Sequence, residues 1–267
     1  MRADPYARSH EVAFGIAKDG AEDYFNAISD LEPVLRADSV QPYSFIVRAD
    51  ALRNAGHHDK AVTEYTKAME RDGTLADAYI GRGLALMAQD AFDAAQQDFI
   101  RAGELDPEDA NIHVNMATLL TLKGNYRAAI GEAVKALKLD AKNAEAYLRA
   151  ANAYYFLKEY PRALVNYSLA VKNDPQSPAA YNGLGLGHFA LGQFPQALEN
   201  FSRAIAHDPQ SDRFFRNRGS TYVNLRRYAN AAGDFRNGSL LNVDAAQADA
   251  YKKLLEEAES HAAPPAS

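Results

Sequence analysis

Gly83, Ala117, Ala151, Gly185 and Gly219 are each separated by 34 positions, and Ala61, Ala95, Ala129, Ala163, Ala197 and Ala231 keep the same step. A period of this length marks a repeat architecture, in which one supersecondary unit cannot bury its apolar face alone and neighbours stack into a continuous core. A solenoid is therefore expected, with function spread along a surface and not held in one pocket.

Sliding the chain against itself gives seven repeats without insertion or deletion: 8–41, 42–75, 76–109, 110–143, 144–177, 178–211 and 212–245, preceded by a tail, 1–7. Position 4 is aromatic in Phe45, Tyr79, Tyr147, Tyr181 and Phe215, and position 8 is Gly or Ala in every repeat. Positions 4, 8 and 11 form a stripe on one helix, and positions 17, 20, 24 and 27 form one on a second. Each repeat thus reads as a helix-turn-helix pair and the fold as all-α. Gly56, Gly124 and Gly192 at position 15 supply the turn, and Pro107, Pro175 and Pro209 at position 32 end the second helix by expelling the preceding residue from helical geometry. Ser177 followed by Pro178 fits an N-cap and first-turn proline. Tyr251, Leu254, Leu255 and Ala258 give 246–258 the spacing of a capping helix, and 259–267 is expected to be disordered.

These residues resemble the tetratricopeptide repeat family, whose pattern repeat six carries as Tyr181, Leu184-Gly185, Ala197, Phe201, Ala204 and Pro209, with His188 where the family favours Tyr. Repeat one keeps mainly Gly15 and Ala27, and repeat seven has Val243 in place of proline. The resemblance implies a right-handed superhelix, an α-solenoid of seven repeats with a C-terminal capping helix. It also implies that first helices line a concave groove, with positions 2, 5, 9, 12 and 13 facing it.

Under that placement an apolar band of Ile80, Leu84, Leu148, Tyr155, Phe156, Leu186 and Phe189 faces the groove, interrupted by Asn111, Asn115, Arg149, Asn152, Asn182, Arg213, Arg216 and Asn217. Contiguous apolar surface marks a partner site, and Asn can donate to and accept from a peptide main chain at once. The expected function is a non-catalytic adaptor that binds an extended or helical protein segment; self-assembly and targeting of a larger enzyme complex are the alternatives. A carboxylate clamp of the kind some family members use would fall on Leu148, Asn152, Gly183, Arg213 and Asn217, where only Asn152 and Arg213 fit.

With a net charge of −6, the chain lacks the basic footprint of a general nucleic-acid binder. The charge is uneven: residues 1–143 carry 16 basic and 23 acidic side chains, and 144–267 carry 13 and 12. Arg213 and Arg216 are expected to draw the acidic part of a partner towards repeat seven. No apolar run reaches membrane-spanning length, and the absence of cysteine fits a cytoplasmic protein.

Several local patterns imitate chemistry. Gly183, Gly185 and Gly187 mimic a nucleotide loop without a preceding strand, and His57-His58-Asp59 lacks a third metal ligand. Neither a metal nor a cofactor is expected. No nucleophile, base and orienting residue form a constellation, so no enzyme is expected. Sequons at Asn166, Asn200 and Asn237 fall on predicted helices. Gly183 and Gly187 exceed what the repeat needs, and at about 1 kcal/mol each relative to Ala their replacement by Ala is expected to stabilise.

Overall fold

The computed structural model describes residues 41–241 and 243–262; the N-terminal tail and repeat one up to residue 40 fall outside them. The described residues form thirteen helices and no strand. They are α1 (Pro42–Asn54), α2 (His58–Arg71), α3 (Ala76–Ala88), α4 (Phe92–Leu105), α5 (Ala110–Leu122), α6 (Tyr126–Leu139), α7 (Ala144–Phe156), α8 (Tyr160–Asn173), α9 (Pro178–Ala190), α10 (Phe194–His207), α11 (Asp212–Asn224), α12 (Tyr228–Ser239) and α13 (Ala245–Ala262). First helices begin at 42, 76, 110, 144, 178 and 212, each 34 residues after the last.

The chain divides into two compact blocks, one ending at Lys123 and one beginning at Gly124. In the first, each of α1 to α5 packs on its neighbour in sequence, and α3 also touches α1 and α5. In the second, α6 to α13 pack likewise, and α9 also touches α7 and α11. Within each block the first helices of successive pairs therefore form a layer of their own.

Two backbone devices repeat. Position 15 has positive φ in all six described repeats: Gly56, Gly124 and Gly192, but also Asp90 (58°), Lys158 (62°) and Arg226 (56°). The turn therefore does not depend on glycine, although a side chain there costs about 1 kcal/mol. The second helices of repeats two to six end on an aspartate. Asp72, Asp106, Asp140, Asp174 and Asp208 each accept from the backbone N–H two residues on, at 2.9 to 3.2 Å. Such Asx turns compete with helical bonding. Proline follows only three of these aspartates, so it reinforces a stop that Asp72 and Asp140 make without it. Bonds from the Thr74 hydroxyl and N–H hold the Asp72 carboxyl below its ordinary pKa.

Packing turns on position 24. In repeats three, six and seven it is Phe99, Phe201 or Phe235, and the ring lies against Gly83, Gly185 or Gly219 at position 8 of its own repeat. In repeats two and five position 8 is Ala49 or Ala151, and position 24 is Tyr65 or Tyr167. These rings lie over Gly81 and Gly183, at position 6 of the following repeat, where an added Cβ would fall 2.3 and 2.2 Å from ring carbons. Gly183 is thus required by its neighbour, and the expectation that Ala would stabilise it is corrected. At Gly187 a Cβ would meet the flexible end of Leu164 at 2.7 Å. Repeat four has the small Ala133 at position 24.

A second tie joins positions 7 and 23 in three repeats. Arg82 holds Asp98 in two bonds of 2.8 and 2.7 Å, Arg218 holds Asp234 with the same distances, and Arg48 pairs with Glu64. The three carboxylates are buried. Arg82 also reaches Thr66 at 3.1 Å and Arg218 reaches Ser202 at 3.0 Å, linking each clasp to the preceding repeat. Repeats five and six place Ala150 and Leu184 at position 7.

Helix α13 closes the second block. Tyr251 is buried against Gly238, and its hydroxyl donates to the Asp212 carbonyl at 2.7 Å. The helix runs past 258 to Ala262, so residues 259–262, expected to be disordered, are helical. Arg236 pairs with Glu259, and Tyr228 stacks on His261 at 4.9 Å. The outer side of α13 carries exposed Lys252, Lys253, Glu256 and Glu257.

Candidate partner-binding surface

In the first block, Ile80 and Leu84 on α3 are half-buried and pack against the cluster around Phe99 and Ile112. Asn111 at the start of α5 is exposed, and Asn115 one turn later is half-buried. The adjoining face of α1 is charged and closed on itself. Tyr65 donates its hydroxyl to Asp50 at 2.5 Å, and Arg53 contacts that hydroxyl at 3.3 Å and Asp50 at 3.5 Å. Burial, then the Asp50 carboxylate, push the Tyr65 hydroxyl far above its usual pKa.

In the second block the same positions carry neutral groups. Tyr167 donates its hydroxyl to Asn152 Oδ1 at 2.7 Å, leaving the Asn152 amide nitrogen as the group with donors to spare. Tyr155 is half-buried, with its ring centroid 5.5 Å from that of Tyr160 and 6.0 Å from that of Phe156. Phe156 is 53% exposed and stacks on Tyr126 at 5.1 Å with 13° between planes. On α9, Leu186 and Phe189 are half-buried, and Phe189 meets Phe194 at 5.6 Å.

Two residues expected in the groove belong elsewhere. Leu148 and Asn182 are only 5% and 6% exposed. Leu148 joins the core cluster with Tyr181 and Phe214, and Asn182 Oδ1 accepts from Asn217 Nδ2 at 2.8 Å, joining α9 to α11. Position 5 is buried here because a neighbouring first helix packs over it. Arg149 is half-buried and pairs with Glu145, whereas Arg213 is exposed with its guanidinium 5.6 Å from the Phe214 ring. Arg216 and Asn217 are half-buried on α11. Arg218 is spent in its clasp with Asp234, so it adds no net charge to repeat seven.

Tyr126 and Tyr160 are functional candidates that the groove positions omit. Their signal was the aromatic at position 17, which recurs as Phe92, Tyr126, Tyr160, Phe194 and Tyr228. The patterns that imitate chemistry have places in the fold. Gly183 to Gly187 lie inside α9, and Asp59 accepts from Gln89 at 2.6 Å. Among the described residues no cluster of three or more His, Cys, Asp or Glu is placed to hold a metal, and no helix is long and apolar enough to cross a membrane.

Similar proteins share this architecture. A tetratricopeptide repeat protein from Parabacteroides merdae is 17% identical over 95% of this chain and all of its own, with a TM-score of 0.71. The type IV pilus biogenesis factor PilW is 18% identical over 83% of this chain and 99% of its own, at 0.69. A chain of the APC/C hetero-tetramer Cut9–Hcn1 reaches 0.79 at 12% identity, over 96% of this chain and 50% of its own. At these identities the likeness is one of fold. No curated protein sequence matches the chain. One tetratricopeptide repeat family model matches residues 178–211, and another matches 46–110 and 114–178. These matches cover most of the chain, and the first spans repeat six from end to end, so the protein belongs to the tetratricopeptide repeat family, whose members serve as protein-interaction scaffolds and are generally not catalysts.

Proposed function

We propose that the protein is a non-catalytic adaptor that binds a segment of a partner protein along its first-helix faces. The observation that carries the reading is Phe156, a large aromatic left more than half exposed at the end of α7. Tyr155 stands edge-on to it, Leu186 and Phe189 on α9 are likewise incompletely covered, and Asn152 has its oxygen occupied and its nitrogen available. Exposed aromatic surface of this kind marks a protein contact. Asn152 can donate to a main-chain carbonyl, and exposed Arg213 can meet a carboxylate. In the first block Ile80, Leu84, Asn111 and Asn115 extend the candidate set.

Self-assembly by stacking at the C-terminal end is disfavoured by the charged outer side of α13, which acts as a cap. The test is selection of binders from a displayed random-peptide library, followed by affinity measurement on Asn152→Ala, Leu186→Ser and Arg213→Glu. The reading expects each variant to retain helicity and lose at least threefold in affinity for most selected peptides. Undiminished affinity in all three would overturn it.

A further inference from the structure

The second block carries an aromatic platform with uncompensated positive charge at the inter-helix turns of repeats four and five. Tyr126 and Phe156 are stacked, Tyr155 stands edge-on to Phe156, and Tyr160 packs on Tyr155. An open cleft bounded by residues 124–128 and Leu157 is lined by both Tyr126 of the stack and Arg127. Lys158 projects from the following turn with φ of 62°. Both cations are exposed, and neither has an ion-pair partner among the described residues; the nearby Glu159 is taken by Arg162 at 2.8 Å.

We infer that this platform binds an extended acidic segment containing proline. The inference rests on the adaptor reading and names the partner's chemistry at one end of the face. Polyproline II is extended, lacks internal hydrogen bonds and docks on aromatic-lined grooves, so its proline rings can lie on Phe156 while its carbonyls accept from tyrosine hydroxyls. The Tyr126 and Tyr160 hydroxyls make no hydrogen bond among the described residues. Charge complementarity selects the flanking residues: two unpaired cations favour Asp or Glu and oppose Lys or Arg.

The probe is a fluorescein-labelled peptide of Glu-Glu-Pro repeats, compared with Lys-Lys-Pro and Glu-Glu-Ala repeats of equal length by fluorescence anisotropy on the whole protein. The Glu-Glu-Pro peptide is expected to bind at least tenfold more tightly than either control. Phe156→Ala should weaken it about tenfold. The double variant R127E/K158E, whose side chains are solvent-exposed and put little folding stability at risk, should weaken it at least as much and flatten its salt dependence. Equal binding of the three peptides, or of parent and double variant, overturns the inference. If Glu-Glu-Pro fails to bind while library-selected peptides depend on Leu186 and Arg213, this inference falls and the adaptor reading stands. If no selected peptide depends on the first-helix face, both fall.

Discussion

Tyr65 in the first block and Tyr167 in the second hold the same place in the repeat and pass the same way over a glycine of the next repeat, yet they meet opposite chemistry at position 9. Tyr65 finds a carboxylate that Arg53 also engages; Tyr167 finds an amide, and position 12 beside it is Tyr155. The ring and the glycine serve packing and are held constant, whereas positions 9 and 12 set the character of the surface. Helix α1 closes its face into a charged network, and α7 leaves an aromatic face with a donor to spare.

The largest effects should come from the clasps that the two kinds of repeat do not share. Asp98→Ala leaves Arg82 half-buried without its carboxylate and should cost about 3 kcal/mol. Asn200→Ala, at the same position in a repeat whose position 7 is Leu184, should fall within about 0.5 kcal/mol of parent. Urea denaturation of both variants checks the contrast, and equal losses would break it.

Next in size are the glycines under the tyrosines. Gly81→Ala and Gly183→Ala each gain about 1 kcal/mol of helix propensity but force a Cβ into a buried ring, and overpacking typically costs about 1–3 kcal/mol. Both should lower stability, and G183A should be better tolerated when Tyr167 is replaced by Leu. Gly187→Ala, facing only the end of Leu164, should change stability by less than about 1 kcal/mol in either direction. Thermal melts of the four variants decide whether the rings impose the requirement.

The smallest effect sharpens the difference at position 9. Asp50→Asn should lower the pKa of Tyr65 by removing a carboxylate that opposes the phenolate, and Asn152→Asp should raise that of Tyr167, which burial already holds high. Ultraviolet absorbance of phenolate during alkaline titration reads both directions. In the parent, both phenols remain protonated when folded at pH values where the unfolded chain ionises them. Stability should therefore fall as pH rises past about 10.

The helix pairs, their turns and the closing helix were legible because position 8, position 24 and the turn recur at a fixed interval. The stops were legible only in part: proline drew attention, while the aspartate before it makes the same bond at all five junctions between described repeats. Burial of Leu148 and Asn182 could not be read from repeat position, since it depends on how closely the next first helix approaches. The requirement at Gly183 was hidden for a related reason. Its partner lies in the preceding repeat, and helix propensity, a local quantity, points the wrong way.

That requirement gives the chain a grammar for excision and duplication. A repeat ending in Tyr at position 24 needs glycine as the sixth residue of whatever follows. Removal of 76–109 alone would set Tyr65 against Asn115 and its Cβ, whereas removal of 76–177 would set it against Gly183. A shortened protein of the second kind keeps a legal junction, so lineages and designers alike can shed three repeats here more readily than one.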